Sequence, residues 1–451
     1  MGLWSKGLFL MGIFVCIISA SAFGGEKVVT EIDRTKETFI KVDQDGEIWS
    51  AYYDPTNGLH IRNTGNEKDL LVNGGGQGVS RGLAFNAMKG HLLTAWREKA
   101  GAKKLFFRAS HDGGKTLSEP VLLDEGSTQP LAAIEMGSNA KGDVVVEWLG
   151  ETKIDKDKYH LYAACSGDFG STFSKPTNLT LGYNQSIYPS LLVDDRGTYV
   201  FSYSARGGNR YMLFRRSSDG CKTWSDPLEI KQIGVVTLFV LPVKVANRLH
   251  VFWFNNYESG PVTGPVIEGA YSDDDGLTWK TTVLESTRGL DTALVRVAHD
   301  SKGHIYMAVA GVKTAGEKES VYLLRSEDNG ATWGEMVPVR HYSPKNTKAE
   351  HLLLRAEDDG TVVAVWKDFR NIRSNIYMQY SKDYGKTWQD KDIAIEEPGR
   401  FNTGFFPYTD EIVKVKNKYY LLAHRFSGDI LSDKANLLLL DFTIDGGGQE
   451  K

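Results

Sequence analysis

The chain is poor in the residues from which many enzymes build their chemistry. Cysteine occurs three times in 451 residues, as Cys16, Cys165 and Cys221. No Cys/His cluster has metal-ligand spacing, so neither a metal nor a cofactor is expected. No Walker loop and no GxGxxG after a strand is present, which removes the usual phosphate and dinucleotide cradles. No basic stretch is interleaved with aromatics, so nucleic acid is not an expected partner. After residue 22 no run is apolar enough to cross a bilayer as a helix. What remains is ordinary in bulk, with 41% hydrophobic and 24% charged residues and a formal net charge of −4. Such a composition suits a globular domain with a sizeable core.

The first residues stand apart. Lys6 gives a short positive region, Leu8 to Ile18 an apolar one, and Ala20-Ser21-Ala22 a small-residue cleavage signal. Residues 1–22 therefore read as a secretory signal peptide, and the mature protein is expected to be secreted or periplasmic. Residues 23–445 form the domain, and GGGQEK at 446–451 reads as a flexible tail. Two cysteines survive the cut. Their places on neighbouring repeats predict a separation too wide for a disulfide, and hence two thiols.

One octapeptide is spelled six times. The copies are SHDGGKTL from Ser110, SGDFGSTF from Ser166, SSDGCKTW from Ser217, SDDDGLTW from Ser272, SEDNGATW from Ser326 and SKDYGKTW from Ser381, at intervals of 51–56 residues. A unit of that length cannot bury its apolar face alone, so the copies must stack or close into a ring. The third-position residues Asp112, Asp168, Asp219, Asp274, Asp328 and Asp383 suit a turn in which the carboxylate accepts backbone N–H groups. The fifth-position glycine supplies a positive φ. In the copy at Ser217, Cys221 takes that glycine's place, which predicts a distorted turn. A closing Trp or Phe has a large apolar surface to bury.

Strand–turn–strand patterns precede the boxes and recur eight times, from Ile40 to the stretch beginning at Glu411. The expected fold is an all-β propeller of four-stranded blades, with eight favoured and seven open if the two ends share a blade. The last unit lacks a fourth strand, which Lys27 to Ile32 could supply to close the ring. Trp96, Trp148, Trp253 and Trp366 fall at matching second-strand positions and read as core.

The pattern Ser-x-Asp-x-Gly-x-Thr-Trp resembles the Asp box, or BNR repeat, of sialidases and other propellers. That resemblance implies boxes between the third and fourth strands of each blade, with any site on the opposite face. It also implies an Arg-Ile-Pro in the first inner strand, two further arginines, a Tyr–Glu nucleophile pair and an Asp acid/base. Here Lys36-Glu37-Thr38 stands where Arg-Ile-Pro belongs, and Ile187-Tyr188-Pro189 keeps the Pro without the Arg. Lysine does not reproduce a planar, bidentate guanidinium. The resemblance thus carries the fold and not the active site.

Loops between second and third strands hold an excess of about five positive charges, which can steer an anionic ligand. Candidate ligand-binding residues are Arg81, Arg97, Arg206, Arg210, Arg370, Arg373, Tyr188 and Tyr257, and the rim aromatics also include Phe405, Phe406 and Tyr408. Reversing Arg206 and Arg370 should then reduce affinity without lowering the melting temperature. The favoured reading is a binding or scaffold module, not an enzyme, for an anionic glycan or a protein partner. A glycoside hydrolase or lyase acting on an anionic polysaccharide is the alternative, with Glu98 and Asp368 as its two carboxylates. An assembly or chaperone factor is a third.

Overall fold

A computed structural model describes residues 24–444, apart from 34–36, 55, 75–77, 99–103, 125–127, 129, 131–132, 152–157, 235–238, 258–263, 346, 406–410 and 427–433, and apart from the side chains at 33, 78–81, 257 and 292–293. The expected signal peptide and tail lie outside these residues. The chain forms eight antiparallel sheets in sequence order, each a blade of four strands, so the expected propeller is what is found. Blade one begins with Phe39–Val42 and blade seven with Ala349–Ala356. In blade eight, Asn402–Gly404 and Val413–Val415 both pair with the second strand, Lys418–Phe426. The ring closes as expected, because Glu26–Asp33 pairs antiparallel with Lys434–Phe442 as the outer strand of that blade. No helix among the described residues is long and apolar enough to cross a membrane.

Second strands carry the core. Trp148, Trp253 and Trp366 are fully buried and Trp96 nearly so. Alternate residues of a strand point to opposite neighbours. Trp148 therefore packs with blade two while Val145 packs with blade four. Each of the eight hydrophobic clusters fills one seam between blades.

All six octapeptides join third to fourth strands and share one turn. In the copy at Ser272, the Asp274 carboxylate accepts from Ser272 Oγ at 2.7 Å, Thr278 N–H at 2.8 Å and Thr278 Oγ1 at 2.6 Å. These hydrogen bonds, that of the Thr278 hydroxyl foremost, hold the Asp274 carboxyl down at about 2. Cys221 does not distort its turn. Its φ is 63°, its N–H donates to Ser217 Oγ at 2.9 Å, and Asp219 keeps both bonds to Thr223. Asp328→Ala should lower stability by about 1 kcal/mol through lost turn bonds, and chemical denaturation is the check. An unchanged midpoint would remove the structural role.

Cys165 and Cys221 are bonded to each other, with Cα atoms 6.1 Å apart. The expectation of free thiols fails because the fifth octapeptide position points its Cβ at the preceding blade, not along its own.

Candidate functional site

Turns between first and second strands share a face with the octapeptides, to which they are hydrogen-bonded, as in Gly113 N–H to the Gly90 carbonyl. Antiparallel connectivity puts the second-to-third loops and the starts of the inner strands on the opposite face. There the inner strands surround the channel mouth, and several enter it irregularly. Register breaks between Ile187 and Ser190 in blade four, Thr292 and Leu294 in blade six, and Glu350 and Leu352 in blade seven. Tyr188 at φ 51° and His351 at φ 49° occupy two of these bulges. Non-glycine residues held in the left-handed region are costly, and bulges re-aim side chains beside functional sites.

Blade seven gathers charge at its bulge. Glu350 accepts from Lys348 Nζ at 2.6 Å and from Lys367 Nζ at 3.0 Å, and both ammonium groups lie 4.9 Å from the Phe369 ring centroid. Lys367 passes close to Gly404 of blade eight, where a Cβ would meet its Cδ at 3.3 Å. Burial, and then the charge of Lys367, pulls the His351 imidazole down to about 4, with Lys348 and Arg296 of blade six adding to the effect. A neutral imidazole beside three cations and one carboxylate is thus built into the mouth.

A second cluster spans blades one and two. Tyr53 is 3% exposed. Its phenol is pushed well up by burial first and then by the nearby Glu37 and Glu98 carboxylates. A third lies on blade four, where Arg210 and Tyr188 both act electrostatically on the buried Tyr203. Arg210 and Tyr188, both expected at a ligand site, thus lie near the same buried phenol.

The other candidates fare differently. Asp368 is fully buried and cannot reach a ligand. Arg340 grips it through Nε at 2.8 Å and Nη2 at 3.0 Å, Trp366 Nε1 donates to it at 2.9 Å, and Arg370 bonds it at 2.6 Å. Arg370 also pairs with Asp392 at 2.6 Å, so its charge is consumed between the outer strands of blades six and seven. Reversal of Arg370 would therefore attack the fold, contrary to the expectation of an unchanged melting temperature. Arg206 turns outward to Glu229 on the outer strand of blade four and stacks on Tyr183. Arg373 donates to the Arg400 carbonyl at 2.6 Å on the rim. Arg97 is half-buried and engaged. Phe405 is core, at 4% exposure. The side chains of Arg81 and Tyr257, and residues Phe406 and Tyr408, lie outside the described residues. Of the two expected carboxylates, Glu98 lies near Tyr53 and Asp368 is locked in its ion pair.

Glu37, Tyr53, Arg296, Lys348, Glu350 and His351 were not among the residues expected at the site, yet they form these clusters. Inner strands read as core in the sequence, and only the broken register makes their first residues available. A hint was present in the charged run Lys348 to His351 at the head of an otherwise apolar strand.

Family models and characterised protein sequences give no match to the chain. Solved structures do. The PL25-ulvan lyase bound to -[GlcA(1-4)Rha3S]- superposes with a TM-score of 0.53 at 13% identity, covering 80% of this chain and 93% of that one. Polysaccharide lyase Uly1 gives 0.55 at 11% identity, covering 94% and 100%. The NanB sialidase of Streptococcus pneumoniae gives 0.41 at 11% identity, covering 93% of each. At these identities the likeness is one of fold. With eight four-stranded blades and one turn repeated six times, the chain is an eight-bladed propeller and shares that broad architecture with the two lyases.

Proposed function

We propose that the protein binds an acidic polysaccharide across the channel mouth, on the face opposite the octapeptides. The observation that carries this is the blade-seven cluster, in which Lys348, Lys367 and Arg296 surround His351 against a single carboxylate, Glu350. Cations gathered in a concave, partly desolvated mouth hold carboxylate or sulfate groups more strongly than the same charges on an open surface. Two structural neighbours named as polysaccharide lyases support a sugar polymer as the ligand. The test is a glycan array of neutral, uronate-bearing and sulfated polymers. Retention of the acidic ones alone is expected. Equal retention of neutral polymers would overturn the reading.

One observation favours chemistry over simple binding. A neutral His351 can accept a proton, while the cations beside it can stabilise charge developing on a uronate carboxylate. That is the requirement of an eliminative lyase. The base removes the proton α to the carboxylate, a carbon–carbon double bond forms, and the glycosidic C–O bond breaks with the electron pair leaving on oxygen. The unsaturated product is followed by ultraviolet absorbance, which His351→Ala should abolish. Absorbance unchanged in that variant would assign the proton transfer elsewhere.

Sialic acid release is not expected, because no Arg-Ile-Pro is present to clamp its carboxylate. A fluorogenic sialoside assay checks this, and turnover lost on replacing one arginine would contradict it. The Cys165–Cys221 bond and residues 1–22 support a place outside the cytoplasm.

A further inference from the structure

Seams between blades follow a rule that one seam breaks. In five octapeptides the fifth-position glycine makes room for a side chain of the preceding blade. An added Cβ would meet Trp49 at 2.4 Å from Gly114, Phe107 at 2.2 Å from Gly170, Phe214 at 2.3 Å from Gly276, His250 at 2.5 Å from Gly330 and Leu323 at 3.1 Å from Gly385. Phe107, Phe214 and Leu323 each stand three residues before their own blade's octapeptide serine. The same position in blade three is Ala163, too small to reach across. There the next octapeptide carries Cys221 in place of glycine, bonded to Cys165.

The rest of that seam is thin. Among the described residues its hydrophobic cluster holds six buried members, Val145, Leu161, Ala163, Cys165, Leu179 and Val200, whereas the other seven seams hold ten to fifteen. Glu147 alternates with Val145 and Leu149 and so faces the seam. It is 0% exposed, and neither carboxyl oxygen has a hydrogen-bond partner. Burial holds this carboxyl well above the usual range, and the charge of Glu135 across the strand pair adds to it. Blade four faces it with Leu191, Val200, Ser202 and Ser204, none of which titrates. The hydroxyls of Ser202, Ser204 and Ser186 bond to one another at 2.9 Å.

We propose that the seam between blades three and four is the ring's built-in opening point, with the Cys165–Cys221 bond as its latch. An external dithiol supplies two electrons and two protons, its own disulfide forms, and the bridge becomes two thiols. The fifth-position gap then holds no large side chain from blade three, and of the described aromatics only the half-buried Trp224 still packs against that seam. Opening would carry the inner strand of blade four, with Ser186 and Tyr188, away from the channel mouth. The latch stands on packing alone, whether or not the mouth binds a polysaccharide.

Hydrogen exchange of the mature protein, with and without a dithiol at neutral pH, tests this. On reduction, the second and third strands of blade three and the first two of blade four should exchange about tenfold faster, with other blades within about twofold. The variant Ala163→Phe/Cys165→Ala/Cys221→Gly restores the plug and glycine of the other seams. It should exchange at the oxidised rate and ignore the reductant. If that variant does not fold, Glu147→Met in the reduced protein should slow exchange in the same four strands. Acceleration spread evenly over all eight blades, or absent on reduction, would overturn the proposal. So would a Glu147→Met effect located elsewhere.

Discussion

Asp368→Ala should destabilise the ring by about 3–5 kcal/mol, because it strips a buried ion pair of one partner and leaves the other charge uncompensated. Both Asp368 and the Arg340 side chain are at 0% exposure. Hydrogen bonding from Arg370 and Arg340 outweighs the upward pull of burial and holds the Asp368 carboxyl at about 2. A carboxyl depressed in the folded state contributes stability that is complete above its unfolded value near 4. That contribution is lost as pH falls through about 2. Denaturant titration at pH 7 measures the first effect, and an acid series measures the second, which Asp368→Ala should flatten. A loss under about 1 kcal/mol would mean that the arginines find water or other partners in its place.

The opposite sign is expected at Glu147. A carboxyl raised by burial stays protonated in the ring but ionises once unfolded, so stability falls as pH rises above the unfolded value. Glu147→Met should stabilise the protein by roughly 1–3 kcal/mol at neutral pH by removing a buried polar group without a partner. It should also remove part of the decline between pH 5 and pH 8. A destabilising Glu147→Met would mean that the carboxyl satisfies a need of the seam that hydrogen bonding does not register.

The sequence made the ring legible because its information is local and repeated. Six copies of one turn, Trp at matching second-strand positions, and a missing fourth strand at one end with a spare strand at the other left few alternatives. The site was less legible for a physical reason. Charged loops draw the eye, yet charge in a loop says nothing of where it points. Arg206 finds Glu229, and Arg370 finds Asp368 and Asp392. The residues that reach the mouth sit at strand ends, where a bulge at Tyr188 or His351 reverses the direction a periodic reading assigns. The disulfide was hidden likewise, because spacing along the chain does not report which way a left-handed Cys221 aims its Cβ.

Binding of an acidic polymer by the blade-seven cations is tested most directly by calorimetry with polygalacturonate over a range of salt. Affinity should fall steadily as the Debye length shrinks from about 10 Å to about 3 Å. Lys348→Met/Lys367→Met should weaken binding at least about tenfold at low salt with the fold intact, a loss of about 1.4 kcal/mol. Arg206→Glu, on the outer rim, should change it little. Binding that ignores both salt and the paired lysines, or that fails on Arg206→Glu instead, would place the ligand away from the channel mouth and contradict the account.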